Sequence, residues 1–175
     1  LSEDDGQRLF GEMLGNEKAR SIVNPRAYLG KGTLLAIRQN LRAAVDSLEF
    51  CHWVTEGFQL GMLSLDDLAR LFSAVTGEEM DARRLTMVGE RTFNVERAFN
   101  VREGLRRKDD LVPSRMFKEA IPRGPHAGEL IDPVKYQEML DEYYESRGWD
   151  KEGIPTDAKL NQLGRKVLPP SSLEA

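Results

Sequence analysis

The chain has 175 residues, 40% hydrophobic and 31% charged, a balance that supports one globular domain with a sizeable core and excludes a disordered chain. No apolar run approaches the roughly 18–20 residues of a membrane span, and no basic-then-apolar leader opens the chain, so no membrane partner and a cytoplasmic location are expected. Net charge is −4, and the one basic concentration, Arg102 to Lys108, runs directly into Asp109 and Asp110, which argues against a nucleic-acid partner.

Nearly every segment reads as helix. Ser2 followed by Glu3, Asp4 and Asp5 has the form of an N-cap with acids at the positive end of a helix dipole. Leu9, Phe10, Met13 and Leu14 then share one face of a short helix, with Gly15-Asn16 as its stop. Asn24-Pro25 marks a turn, and Gly30-Lys31-Gly32 reads as a flexible entry to the next helix. From Thr33 onward, Leu34, Ile37, Leu41, Ala44, Val45 and Leu48 recur at three and four, a buried stripe. Ser64-Leu65-Asp66-Asp67 caps a helix that Gly77 closes, and Asp81 caps a long one running past Val101. Gly89 sits in the middle of that long helix, where a packing reason or a kink is expected.

Four prolines between Leu111 and Pro133 predict an extended arm over the surface. Pro133 suits the first turn of a helix carrying Tyr136, Met139, Leu140, Tyr143 and Tyr144 and ended by Gly148. Thr156 caps a last short helix stopped by Gly164, and the tail through Pro169-Pro170 is expected to fray. No period-two alternation requires a sheet. The expectation is a single domain over residues 1–175, all-α, an irregular multi-helix domain with a Pro-rich extended arm. The chain starts at Leu1 rather than methionine, which raises the expectation of a processed product or part of a longer chain.

Few residues carry chemistry by spacing alone. Cys51 is the only cysteine, so no internal disulfide forms, and without CxxC the chain cannot hold a four-thiolate cluster by itself. A lone cysteine is ordinarily a small buried hydrophobe. Asp46, five residues earlier, would ordinarily be a surface or capping acid. Along Glu90 to Gly104, helical spacing gathers Glu90, Asn94 and Arg97 on one face, a pattern that reads as a structural polar network. Arg106 to Asp110 reads as a solvated turn or an ion-paired corner. His52 and His126 stand far apart with no zinc spacing, and no phosphate loop or GxSxG is present.

Three ordered blocks together are more specific than their parts. AVDSLEFC, ending at Cys51, is similar to a D-x-x-G-L-C segment. ERTFNVERAFNVREGLRRKDDLVPSR spans Glu90 to Arg115, and LDEYYESRGWDKEGIPTDAKLNQLG spans Leu140 to Gly164. With these blocks the chain resembles the C-terminal helical portion of the tungsten-containing aldehyde ferredoxin oxidoreductase family. The resemblance implies a larger enzyme whose N-terminal β-rich and cluster-binding parts are not in this chain. It implies tungsten (or molybdenum) on two pterin dithiolenes, a [4Fe–4S] cluster, ferredoxin as electron acceptor, the rest of the enzyme chain as partner, and a homo-oligomer as one option.

Cys51 matches the fourth cluster ligand, the other three thiolates coming from a CxxCxxxC outside this chain. Asp46 matches the acid that contacts a pterin, accepting hydrogen bonds from its N–H groups. No tungsten ligand is expected from this chain, and the chain alone is expected to be inert. Two positions depart from the motif: Glu49 stands for glycine, which would allow close backbone approach to the cofactor, and Phe50 stands for leucine. The added charge near the cluster sulfurs suggests a divergent member. Two alternatives stay open: an aryl-CoA reductase subunit of the same superfamily, or a cofactor-free helical module.

Overall fold

The computed structural model describes residues 11, 15–51 and 63–164. The expected N-cap at Ser2, the face of Leu9, Phe10, Met13 and Leu14, His52, and the tail at 169–172 lie outside the described residues. Those described form α1 (Asn16–Ser21), α2 (Lys31–Ser47), α3 (Leu65–Thr76), α4 (Ala82–Arg102), a 3-10 turn (Arg107–Asp110), α5 (Arg115–Lys118), α6 (Pro133–Arg147) and α7 (Asp157–Gln162). The fold is all-α, with no β-strand among the described residues. The chain divides into two compact units, Leu1–Leu35 with Gly104–Ile154 and Ala36–Glu103 with Pro155–Ala175, the first boundary falling inside α2.

In the first unit, α6 is the central element. Asp132 caps it by accepting hydrogen bonds from the backbone N–H groups of Val134 and Lys135, Pro133 sits in its first turn, and Gly148 ends it. Leu140 and Tyr144 are buried on one face. Tyr143 meets Trp149 edge to face at 5.5 Å, and the buried Arg147 places its guanidinium 5.5 Å from the Tyr143 ring. Stacking against aromatic faces is one way a buried guanidinium is tolerated. Arg107 donates to Gln137 Oε1 at 2.7 Å and Asp141 Oδ1 at 2.6 Å, while Asp110 accepts from the Tyr144 hydroxyl at 2.5 Å. The basic-acidic run is therefore an ion-paired corner.

Glu142 does for the start of α2 what a cap residue does locally. Its carboxylate accepts from Gly30 N–H at 2.9 Å and Thr33 Oγ1 at 2.5 Å, and pairs with Lys18 Nζ at 3.0 Å. A carboxylate at this end also opposes the positive end of the helix dipole. The sequence reading of Gly30-Lys31-Gly32 as a flexible entry is corrected here. Gly32 is buried, and a Cβ on it would lie 2.6 Å from the Met139 carbonyl oxygen and 2.7 Å from Tyr143 N. The missing side chain lets the two backbones touch.

Two further expectations change. Asn16, read as a helix stop, opens α1. The stretch from Leu111 to Pro133 is exposed along most of its length but not extended throughout. It contains α5 and a closed loop in which Ile121 N–H donates to Glu129 O and Gly128 N–H to Ile121 O. Proline excludes long helices there, yet a single turn and a backbone-bonded loop remain compatible with it.

The second unit is built on α2, α3 and α4. Ala44, Val45, Leu68, Ala69 and Leu85 form its buried cluster, with Leu41, Leu48, Leu63, Leu65 and Met80 packed against it. Ser64 and Asp67 make the expected reciprocal capping box, and Asp81 accepts from Arg84 N–H. Gly89 answers the question its position raised. A Cβ there would lie 1.9 Å from the Asn40 carbonyl oxygen and 2.8 Å from Ala44 N. The long helix therefore carries glycine because α4 packs backbone to backbone against α2.

Lys159 on α7 pairs with Glu90 at 2.9 Å, Arg91 Nε donates to Leu163 O at 2.8 Å, and the buried Asn94 donates to Glu90 O at 2.9 Å. The polar residues of the second sequence block thus include a network that ties α7 to α4, as expected of a structural role.

Two outcomes follow for stability. Gly89→Ala forces the helices apart and lowers unfolding stability by about 3 kcal/mol in urea titration; an unchanged midpoint contradicts the backbone contact. For Glu142, burial alone would raise the pKa, but the hydrogen bonds from Thr33, Lys18 and Gly30 outweigh it and hold the carboxyl below its ordinary 4.5. A depressed folded value means the stabilisation is present above the unfolded value and lost as pH falls through the folded one. Wild type is therefore more stable than Glu142→Gln at neutral pH, and the gap narrows in acid below about pH 4.5; a gap independent of pH contradicts this.

Candidate functional site

The two residues singled out by the sequence, Asp46 and Cys51, both lie in the second unit at the end of α2. The spacing that turns Leu41, Ala44, Val45 and Leu48 into the core turns Arg42 and Asp46 outward, and both are exposed. The Asp46 carboxylate makes no hydrogen bond or ion pair among the described residues.

α2 then ends in a defined turn rather than fraying. Phe50 N–H donates to Val45 O at 3.2 Å and Glu49 N–H to Asp46 O at 3.0 Å, the paired bonds of a Schellman stop. The residue after the cap in that motif takes the left-handed conformation, and Glu49 has φ 57°, the one positive φ at a non-glycine position among the described residues. Left-handed backbone costs an L-residue roughly 1 kcal/mol. This supplies a conformational reason for glycine at this position, in addition to close approach. Glu49 holds the same turn with a side chain on it.

Cys51 follows the turn as an exposed free thiol. Its exposure removes the usual explanation of a lone cysteine as core packing. A thiolate carried just past a fixed helix end has the softness that iron–sulfur clusters and other thiophilic metals require, and the access to meet ligands from elsewhere. Among the described residues no group of three or more His, Cys, Asp and Glu is placed to hold a metal, so what this end of α2 offers is a single thiolate.

Sequence reasoning missed the residues that stand around Asp46. It lines a groove of about 400 Å³ with Gln39, Arg42, Ser47, Thr92, Phe93 and Glu96. Ser47 Oγ donates to Ala43 O at 2.6 Å and stands 3.3 Å from Thr92 Oγ1. With the Ser47 proton so engaged, the Thr92 hydroxyl is the donor between them, leaving its lone pairs as acceptors. Thr92 and Glu96 are one helical turn apart, a spacing visible in the sequence but hidden by the reading of that block as purely structural.

The strained turn can be tested without any cofactor. Glu49→Gly relieves the left-handed penalty and raises stability by about 1 kcal/mol, read as a higher urea midpoint at unchanged slope. A lower midpoint contradicts the conformational reading.

The family described as aldehyde ferredoxin oxidoreductase, domains 2 and 3, matches residues 2–164. The tungsten-containing aldehyde ferredoxin oxidoreductase of Pyrococcus furiosus is 36% identical over 132 residues, covering 75% of this chain and 20% of that protein. The enzyme of the same name from Thermococcus kodakarensis is 34% identical over 135 residues, 77% of this chain and 21% of its own length. An aliphatic sulfonate oxidoreductase, WOR-like subunit, of Pyrococcus furiosus is 29% identical over 157 residues, 86% of this chain and 23% of its own. Among solved structures, the active-site complex BamBC of benzoyl coenzyme A reductase with 1,5-dienoyl-CoA shares the fold, with TM-score 0.68 and 22% identity over 94% of this chain and 26% of that one. The chain thus spans about a fifth of the length of the aldehyde oxidoreductases it matches. It belongs to the aldehyde ferredoxin oxidoreductase family of oxidoreductases, in the part that comprises domains 2 and 3.

Proposed function

We propose that this chain is the C-terminal helical part of a larger oxidoreductase, in which the end of α2 forms one wall of a cofactor site. Cys51 supplies the fourth thiolate of a [4Fe–4S] cluster, and Asp46 holds a pterin of a tungsten (or molybdenum) bis-pterin centre. The observation that carries the reading is the end of α2 itself: an exposed thiol just beyond a hydrogen-bonded stop, with an exposed carboxylate one turn before it. When bound, the two groups supply two-electron oxidation of an aldehyde with water to a carboxylic acid and the passage of the electrons one at a time to ferredoxin.

The chain's own residues do the holding. The Schellman turn fixes the direction in which the backbone leaves α2 and so restricts where the Cys51 sulfur can reach. With one cysteine in 175 residues, the other cluster thiolates come from elsewhere in the enzyme, and the chain alone is inert. The Asp46 carboxylate accepts hydrogen bonds from ring and amino N–H groups, fixing the heterocycle without contributing a bond to the metal. The Gly89 contact keeps α4 against α2 and thereby shapes the groove around Asp46.

A second reading is a reductase subunit acting on an aryl-CoA thioester. It is favoured by the fold shared with the benzoyl coenzyme A reductase complex. Viologen-linked assays of the full-length protein with an aldehyde and with an aryl-CoA separate the two.

Replacing Cys51 with Ala in the full-length protein should lower bound iron and abolish the EPR signal of the reduced cluster, with tungsten and pterin retained. Unchanged iron stoichiometry would sink the ligand assignment.

A further inference from the structure

The groove beside Asp46 is wider than one carboxylate needs, and its remaining walls have a consistent chemistry. From α4 it receives the exposed carboxylate of Glu96, the Thr92 oxygen whose lone pairs are left as acceptors, and the ring of Phe93. From α2 it receives Asp46, Gln39 and Arg42. Acceptors therefore stand on both sides of the groove, with an aromatic ring between Thr92 and Glu96 in the chain. Two carboxylates alone could suggest a cation, but the Arg42 guanidinium in the same groove opposes one.

The acceptors on the two helices suit a planar heterocycle that is rich in N–H donors. We propose that Glu96, with Thr92, forms a second contact to the same donor-rich heterocycle that Asp46 holds, so that the pterin is gripped from α2 and α4 together. This rests on the reading of Asp46 as a pterin contact and extends it to a residue on another helix. Glu96 is a binding residue here. The Gly89 packing that brings α4 to α2 is what positions it.

The test uses the full-length holoenzyme and follows pterin release, by fluorescence of the oxidised pterin, at a fixed sub-denaturing urea concentration. Losing one charge-assisted hydrogen bond raises the release rate about tenfold in Glu96→Gln. Glu103→Gln, which removes an exposed charge at the end of the same helix outside the groove, leaves the rate unchanged. Thermal melting checks that each variant is folded. Release faster in Asp46→Asn but unchanged in Glu96→Gln overturns this inference and leaves the Asp46 reading standing. Unchanged release in both variants overturns both. Equal acceleration by Glu103→Gln reduces the effect to general loss of charge and overturns the Glu96 contact.

Discussion

Glycines at positions 32 and 89 let one helix backbone touch another directly. A Cβ at Gly89 would come within 1.9 Å of the Asn40 carbonyl, and one at Gly32 within 2.6 Å of the Met139 carbonyl. Neither contact can be relieved by turning a side chain, because the opposing atoms are backbone. In the second unit, this closeness brings Thr92 within reach of Ser47 and places Glu96 and Asp46 along one groove. Helix axes pack about 8–10 Å apart depending on the side chains at the contact, and a side chain at position 89 would push α4 away from α2 and leave those groups less closely opposed.

The second constraint is the way α2 stops. Hydrogen bonds from Phe50 and Glu49 back to Val45 and Asp46 close the helix within three residues. They require a left-handed residue at position 49, which the chain fills with glutamate at a local cost. Strain kept at one position is tolerated when surrounding structure determines it, and here the core contacts of Val45 and Leu48 hold the preceding turn. The consequence for function is directional: Asp46 belongs to a rigid helix, and Cys51 leaves it along a path the turn has set.

Much of this was legible in the residues. Capping boxes, proline at the start of α6 and glycine at the stops gave the helix limits, since each is a local hydrogen-bonding matter. Asp46 and Cys51 were found through motif resemblance, and the structure supplies their exposure and the turn between them. What was not legible is non-local. The flexible reading of Gly32 failed because the atoms that demand glycine lie more than 100 residues away. Helix α1 escaped notice because Asn16 serves equally well as a stop or a start. Glu96 was hidden because the block it belongs to reads as a structural polar network, and only packing against α2 puts it on the groove that Asp46 lines.

In the proposed function, an exposed thiol on this small helical part completes a metal cluster whose other ligands come from elsewhere in the enzyme. The most direct measurement is an anomalous-difference map at the iron edge from crystals of the full-length protein. The expected result is one iron of the cluster at bonding distance from Cys51 Sγ, immediately after the turn at Glu49. A cluster ligated wholly by other residues, with Cys51 left as a free thiol, would contradict it.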